Sequence, residues 1–140
     1  MPEVHKGRLF DHVHIRVSDI EASRRFYEAA LAAVGLSITQ ERMTADADRW
    51  FSADELFVSD DGEPTVGVHL ALQAPDPETV DRFYEAALAA GGRDNGKPGE
   101  RAYHPGYYAA YVLDPDGTNV EAVYHGPAER SAPSVVFTFE

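Results

Sequence analysis

Apolar residues recur at helical spacing in two stretches that contain the same nine residues. The nonapeptide RFYEAALAA occupies positions 25–33 and again 82–90. Around each copy, apolar residues follow the i, i+3/i+4, i+7 pattern of a helix with one buried face. Ser18 or Asp19 is a suitable cap for the first helix, and Asp76 with Pro77 can open the second. The repeat predicts two equivalent amphipathic helices.

Alternating apolar and polar residues precede each helix, as DHVHIRV at 11–17 and VHLALQA at 68–74. The segments LSITQERM and DELFVSD follow the first helix and are predicted to be extended. After the second helix, YYAAYVLD and TNVEAVYH flank a DPDG turn and predict a hairpin. Each half of the chain is therefore predicted to be a β-α-β-β-β module, which makes an α+β fold.

The junction between the two halves is marked by GEPTVG at 62–67 and by the prolines at 75 and 77. We expect one domain over 1–140, with modules at about 9–62 and 67–125. A C-terminal tail, 126–140, begins as a loop. Its VVFTFE segment could pair as an edge strand with a partner chain.

The excess of acidic over basic residues bears on which partners the protein can bind. The chain has 24 acidic and 12 basic residues, a net charge of −12, and no cysteine. A dispersed acidic surface argues against a general nucleic-acid-binding protein. No apolar run approaches the length of a membrane span, and the N-terminus lacks the apolar core of a secretory signal. We expect a cytoplasmic protein whose partner is a small molecule, without thiolate metal ligands.

Two histidines occupy equivalent positions in the repeat. His12 precedes the first nonapeptide by 13 residues, and His69 precedes the second by the same number. If the first strands of the modules meet, both imidazoles can face one cleft, and Glu121 from the last strand is a third candidate ligand. Two imidazoles and a carboxylate suit Zn, Ni, Co, Mn or Fe with positions left for substrate. Glu55 could add a carboxylate, or Phe57 could occupy that place.

Other polar residues are candidates for substrate binding. His14 shares a strand face with His12 and could contact substrate, whereas its repeat counterpart is Ala71. The loop GERAYHPGYY offers side chains for a small anionic or aromatic ligand, namely Arg101, Tyr103, His104 and Tyr107. The alternatives are structural: a histidine satisfied within its strand, and tyrosines that cap the core.

The combined motifs resemble the vicinal oxygen chelate superfamily. The resemblance covers about residues 9–125 and rests on DHVHIRVSDIEASRRFYEAAL, GVHLAL and VLDPDGTNVEAVYH. It implies two tandem βαβββ modules forming a cupped mixed sheet, with the helices outside. It also implies His12, His69 and Glu121 as ligands of a divalent metal ion, and a homodimer. The family's remaining ligand, at the end of module one, is where this sequence departs.

Three functions are consistent with these features. The leading hypothesis is a metal-dependent lyase or isomerase of the glyoxalase type, acting on a small substrate with adjacent oxygens. A carboxylate displaced from the metal, Glu121 or Glu55, could move the proton. The second is a non-catalytic protein of the bleomycin-resistance type that binds an aromatic or cationic compound. The third is a ring-cleaving dioxygenase with two histidines and one carboxylate on iron.

Overall fold

The structure is a computed structural model, and it describes residues 3–6, 8–127 and 135–138. Ten strands and two helices are assigned in this part of the chain. In chain order they are β1 (Glu3–Lys6), β2 (Val13–Arg16), α1 (Ile20–Ala33), β3 (Gln40–Arg42), β4 (Trp50–Ala53), β5 (Leu56–Ser59), β6 (His69–Gln73), α2 (Pro77–Ala89), β7 (Arg93–Glu100), β8 (Tyr108–Leu113), β9 (Asn119–Tyr124) and β10 (Val135–Thr138).

Two four-stranded sheets repeat one topology. The first has the order β2-β5-β4-β3 and the second β6-β9-β8-β7. In each sheet the first strand pairs in parallel with the last strand of its module, and the other pairs are antiparallel. The predicted fold class, α+β with two tandem βαβββ modules in mixed sheets, is confirmed. Strands β2 and β6 each lie at the end of their sheet.

Both helices begin at an aspartate that accepts a hydrogen bond from the backbone of the first turn. The side chain of Asp19 accepts from the amide of Ala22 at 3.1 Å, and that of Asp76 accepts from Thr79 at 2.8 Å. Pro77 follows Asp76, where its fixed φ suits a first helical turn. The second cap is as predicted, and of the two candidates for the first, Asp19 is the residue used.

Helix α1 packs on elements of both modules. Its Tyr27 is almost fully buried and donates a hydrogen bond of 2.6 Å to Oδ2 of Asp114, in the turn between β8 and β9. Asp114 also accepts from the amides of Asp116 and Thr118, both at 2.9 Å. Burial, followed by the nearby Asp114 carboxylate, raises the pKa of Tyr27 well above its usual value. The phenol therefore stays a donor to this carboxylate.

Close packing explains why a glycine follows the second helix. A β-carbon at Gly92 would lie 2.4 Å from Cγ1 of Val112 and 2.8 Å from Cε1 of Phe26. Such distances are far inside van der Waals contact, and the backbone carbonyl oxygen of Ala87 in α2 would lie 2.7 Å away, so a side chain there would displace its neighbours. The two helices also contact each other, and the core is continuous between the modules.

Three strands, β1, β4 and β7, were not predicted from the sequence. Strand β4 is the four residues WFSA within an otherwise polar stretch, and β7 has the sequence RDNGKPGE, with irregular pairing at Gly96 and Gly99. The VVFTFE segment contributes β10, and this strand pairs with β1 of the same chain rather than with a partner. The rest of the predicted tail, 128–134 and 139–140, lies outside the described residues. In the described part of the chain, neither helix is long and apolar enough to cross a membrane.

The fold predicts a measurable role for the bond between Tyr27 and Asp114. Tyr27→Phe should lower the free energy of unfolding in urea by about 2 kcal/mol, because a buried carboxylate loses a hydrogen-bond donor. Tyr108→Phe is the matched control, since its hydroxyl donates to Asp81 at the surface, and it should cost about 0.5 kcal/mol or less. Equal effects of the two substitutions would contradict the packing role assigned to Tyr27.

Candidate functional site

A buried carboxylate lies at the centre of the second sheet. Glu121 in β9 is 1% exposed, and its Oε1 lies 2.9 Å from Nε2 of His69 in the neighbouring strand β6. The hydroxyl of Tyr107 donates a hydrogen bond to the other carboxylate oxygen, Oε2. The His69 side chain is half exposed, so the pair is reached from solvent on the imidazole side. The structure therefore brings together two of the three predicted metal ligands.

Tyr107 is a hydrogen-bond donor to the Glu121 carboxylate and stays protonated. Burial raises the pKa of the Tyr107 phenol well above its usual value, and the hydrogen bond to Glu121 adds to the effect. Its neighbour Tyr111 also has a raised pKa, again mainly through burial, with a contribution from the charge of Glu121. Both phenols stay protonated at physiological pH, and the polar wall beside Glu121 therefore carries hydroxyl donors rather than anions.

Strand register shows which residue of the first module corresponds to Glu121. In the second sheet Ala71 pairs with Glu121, and in the first sheet His14 pairs with Phe57. His14 and Ala71 are repeat counterparts, 57 residues apart like His12 and His69. The counterpart of Glu121 is therefore Phe57. Glu55 lies two residues earlier, which leaves the first module without a carboxylate at this position.

The first sheet carries a pocket of about 280 Å³ whose lining includes His12, His14, Trp50 and Phe57. The rings of Trp50 and Phe57 stack at 5.2 Å with an interplanar angle of 25°, and His14 contacts Phe57 edge-on at 4.8 Å. The exposed imidazole of His12 lies 2.7 Å from Oδ1 of Asp11. His12 and the predicted substrate residue His14 therefore border one aromatic pocket.

A chain of hydrogen bonds fixes the orientation of His14. Ser59 donates its hydroxyl proton to Oδ1 of Asp61 at 2.8 Å, and Arg16 donates to the same oxygen at 2.8 Å. Nε2 of His14 lies 2.7 Å from the Ser59 oxygen. Because the only hydroxyl proton of Ser59 goes to Asp61, Nε2 must carry the hydrogen in this contact. Nδ1 of the neutral imidazole is then an acceptor.

The pKa is lowered at both ends of this chain of bonds, at His14 and at Asp61. Burial, followed by the Arg16 charge, lowers the pKa of His14 from 6.5, while Asp61 acts in the opposite direction. Hydrogen bonding from Ser59 and then from Arg16 lowers the pKa of Asp61. Asp61 is therefore an anion and His14 a neutral imidazole near neutral pH.

The predicted binding loop is only partly directed toward the carboxylate. Arg101 donates to the backbone carbonyls of Lys97 and Glu100, and its guanidinium lies 5.3 Å from the centre of the Tyr111 ring. Tyr103 is 73% exposed, with its ring 4.9 Å from that of Tyr107. These contacts give Arg101 a role in holding the loop, and Tyr107 is the loop residue that contacts Glu121.

His104 and His125 form a separate exposed pair. Nε2 of His104 lies 3.0 Å from Nδ1 of His125, while Nδ1 of His104 contacts the carbonyl of Pro105 at 2.9 Å. Since a carbonyl only accepts, Nδ1 of His104 carries a hydrogen and donates it to Pro105. Nε2 of a neutral His104 ring is then an acceptor, and the hydrogen between the two rings is donated by Nδ1 of His125. Both rings contact Tyr107 edge-on. His104 thus packs beside the Glu121 site without touching the carboxylate.

The chain does not bring His12 to His69 and Glu121. Among the described residues, no group of three His, Asp or Glu side chains is arranged to hold a metal ion. The pocket at His12 is lined by first-module residues alone. A larger groove, of about 770 Å³, lies along alanines of the two helices and includes none of the predicted site residues. The candidate site consists of two halves on different sheets.

Comparison with known proteins agrees with this arrangement of sheets. The sequence model of the Glyoxalase/Bleomycin resistance protein/Dioxygenase superfamily matches residues 9–122. The chain belongs to this superfamily. Members bind small molecules and generally hold divalent metal ions. The protein YqjT of Bacillus subtilis is 33% identical to this superfamily member, with 80% of this chain and 95% of YqjT covered.

Solved structures of the superfamily share the fold. A glyoxalase/bleomycin resistance protein from Albidiferax ferrireducens is 29% identical, with a TM-score of 0.63, and the match covers 82% of this chain and 97% of that one. Glyoxalase I from Zea mays has a TM-score of 0.62 at 18% identity, covering 89% of this chain but 46% of the maize chain. The likeness to the maize enzyme is one of fold alone.

Four residues of the site were missed by sequence reasoning. Trp50 is the only tryptophan of the chain and lies in the unpredicted strand β4. Tyr111 could have been found by strand alternation, because it shares a face with Tyr107. Ser59 lies in the predicted strand DELFVSD and Asp61 directly follows it. No spacing rule connects either residue to His14, which is 45 residues before Ser59.

The charges around His14 predict a specific titration. Its NMR titration midpoint should lie below 6.5, and Asp61→Asn should lower it further, because the imidazolium loses a nearby anion. Asp54→Asn is the control: this residue lines the same pocket in a left-handed turn that asparagine tolerates. With the folded pKa depressed, stability should decrease as the pH falls from 6.5 toward the folded value. A midpoint at or above 6.5 would contradict this description.

Proposed function

We propose that this protein is a metal-dependent lyase or isomerase of the glyoxalase type, acting on a small substrate with two adjacent oxygens. The observation that carries the proposal is the buried carboxylate of Glu121 in contact with His69. A carboxylate removed from water needs a compensating cation or several donors. Here its neighbours are one imidazole and one phenol. Nitrogen and carboxylate oxygen on neighbouring strands are a donor set that fits a divalent metal ion.

The proposed ligands are His12, His69 and Glu121. Because Phe57 occupies the position equivalent to Glu121, the site has three protein ligands, and open positions are left for the oxygens of the substrate. A divalent ion bound there supplies Lewis-acid chemistry, which stabilises negative charge on a substrate oxygen.

Glu121 is the proposed proton carrier. Its Oε1 faces His69, and its Oε2 accepts a hydrogen bond from Tyr107. Displaced from the metal ion, the carboxylate would accept a proton from substrate carbon through Oε1 while the phenol holds Oε2, and it would return that proton to the neighbouring atom of the product. The exposed side of His69 gives access to solvent. Tyr107 would act as a positioning residue, since it contacts the carboxylate and keeps one of its oxygens occupied.

The complete site is proposed to form between two copies of the chain. Strands β2 and β6, which carry or adjoin the histidines, each end a sheet among the described residues, and Thr65 covers the outer edge of β2 at Arg16. An outer edge without a partner strand pairs readily with another strand. Leu9, Phe10 and Val66 lie shortly before these strands and are 83%, 61% and 86% exposed. A two-fold dimer would cover them and would join His12 of one copy to His69 and Glu121 of the other.

A ring-cleaving dioxygenase is the second candidate. The observation that favours it is the placement of Phe57, because two histidines and one carboxylate are the usual ligands of non-haem iron in oxygenases. The two candidates differ in their use of oxygen. Consumption of dissolved oxygen with catechols and ferrous iron would select the dioxygenase, and turnover of dicarbonyls without oxygen would select the lyase or isomerase.

The metal proposal is tested by elemental analysis. Protein reconstituted with Ni, Co, Mn, Fe or Zn should hold about one ion per chain, as expected for a site of three protein ligands. His12→Ala, His69→Ala and Glu121→Gln should each lose most of it. His125→Ala removes an exposed imidazole outside the ligand set and should retain the metal. Undiminished metal in all three ligand variants, or none in the wild type, would refute the proposal.

A further inference from the structure

We propose that the first-module pocket binds the aromatic ring of the substrate, with the ring against Trp50 and Phe57 and a ring hydroxyl or neighbouring hydroxyl donating to His14. The ligand class is therefore a hydroxylated aromatic compound. The pocket has a volume of about 280 Å³, which is near the lower end of the range for small-molecule sites.

The two rings are placed for contact with a ligand rather than for core packing. Along β4, Phe51 points inward and is fully buried, whereas the adjacent Trp50 is only half-buried. Phe57 in β5 is likewise half-buried and stacks on Trp50. Aromatic surface left at a pocket gains free energy when another ring covers it, through burial and through offset or edge contacts.

Comparison of the two modules shows that aromatic rings at the positions of Trp50 and Phe57 are specific to the first. Phe57 corresponds to Glu121 through their pairing with His14 and Ala71. Trp50 pairs with Ser59, two places along β5 from Phe57, and Ala109 pairs with Val123, two places along β9 from Glu121. Trp50 therefore corresponds to Ala109. At these two equivalent positions the second module has a carboxylate and an alanine, and the first module has two aromatic rings.

His14 adds a directional polar contact. Its Nε2–H is used by Ser59, which is itself held by Asp61. Nδ1 is left as an acceptor, and no described side chain donates to it. A hydroxyl group on the bound compound can make this hydrogen bond, and a purely hydrocarbon ring cannot.

The pocket also includes His12. The inference rests on the proposed function only for the statement that the ring and the metal-binding oxygens belong to one substrate. Ring binding itself requires Trp50, Phe57 and His14, and it does not require a metal ion. The two proposals can therefore fail separately.

The test compares phenylethanediol with cyclohexylethanediol, which carry the same two adjacent hydroxyls and differ in the planarity of the ring. Binding to metal-free protein is followed by NMR through the indole N–H resonance of Trp50, which is unique because the chain has one tryptophan. The aromatic diol should bind about tenfold more tightly, the effect of roughly one favourable aromatic contact. Equal affinities would overturn the inference.

Phe57→Leu should abolish this preference, and Tyr84→Leu, a matched change on α2, should retain it. A preference that survives Phe57→Leu would place the ring elsewhere and overturn the inference. If that variant does not fold, NOEs between phenyl protons and the Trp50 indole in the wild type decide the matter: their presence supports ring binding, and their absence overturns it. Added metal should tighten both diols equally. A Phe57-dependent preference without any metal effect would support the pocket and refute the metal site.

Discussion

The hydrogen bond between Tyr27 and Asp114 joins the two halves of this chain. Tyr27 belongs to the helix of the first module, and Asp114 belongs to the final hairpin of the second. A buried carboxylate is costly unless donors surround it, and here one phenol and two backbone amides do so. The bond lies where α1 packs on the second module, next to Phe26, whose ring lies close to Gly92. The helices contact each other, the core is continuous between the modules, and β2 and β6 are the end strands of their sheets.

Two modules with one topology have acquired different chemistry at equivalent places. Glu121 and Tyr111 are partners across β8 and β9, while their counterparts Phe57 and Ser52 are partners across β4 and β5. The second sheet therefore presents an acid surrounded by phenols, and the first presents aromatic rings beside two histidines. This division suits a site in which one module binds the metal-linked oxygens and the other selects the remainder of the substrate.

The helices and most strands could be predicted because their patterns are local. The 3.6-residue period, aspartate caps and the DPDG turn each act within a few residues. Strand β7 could not be predicted, because glycine and proline in RDNGKPGE oppose an extended assignment and its pairing with β8 comes from tertiary contact. Trp50 was missed with its strand, because β4 has only four residues and lies between polar segments.

The internal repeat allowed equivalent site residues in the two modules to be predicted. The equal spacing of His12 and His69 marked equivalent positions, and His69 does contact Glu121. The choice between Glu55 and Phe57 required the register of β2 on β5, since the two side chains share one strand face and alternation alone cannot distinguish them. The packing of the modules, which leaves His12 apart from His69 and Glu121, includes the contact of Tyr27 with Asp114, and these two residues are 87 residues apart. No local pattern predicts that contact.

The central claim is that one site is completed by residues from two copies. The most direct measurement is the metal content of an equimolar mixture of His12→Ala and His69→Ala chains after co-refolding. Half of the dimers would be mixed, each with one of two sites intact, so about a quarter of the wild-type metal should return. A mixture of His69→Ala and Glu121→Gln, whose lesions share one half-site, should recover none. No recovery in the first mixture, with each variant alone metal-free, would contradict the account.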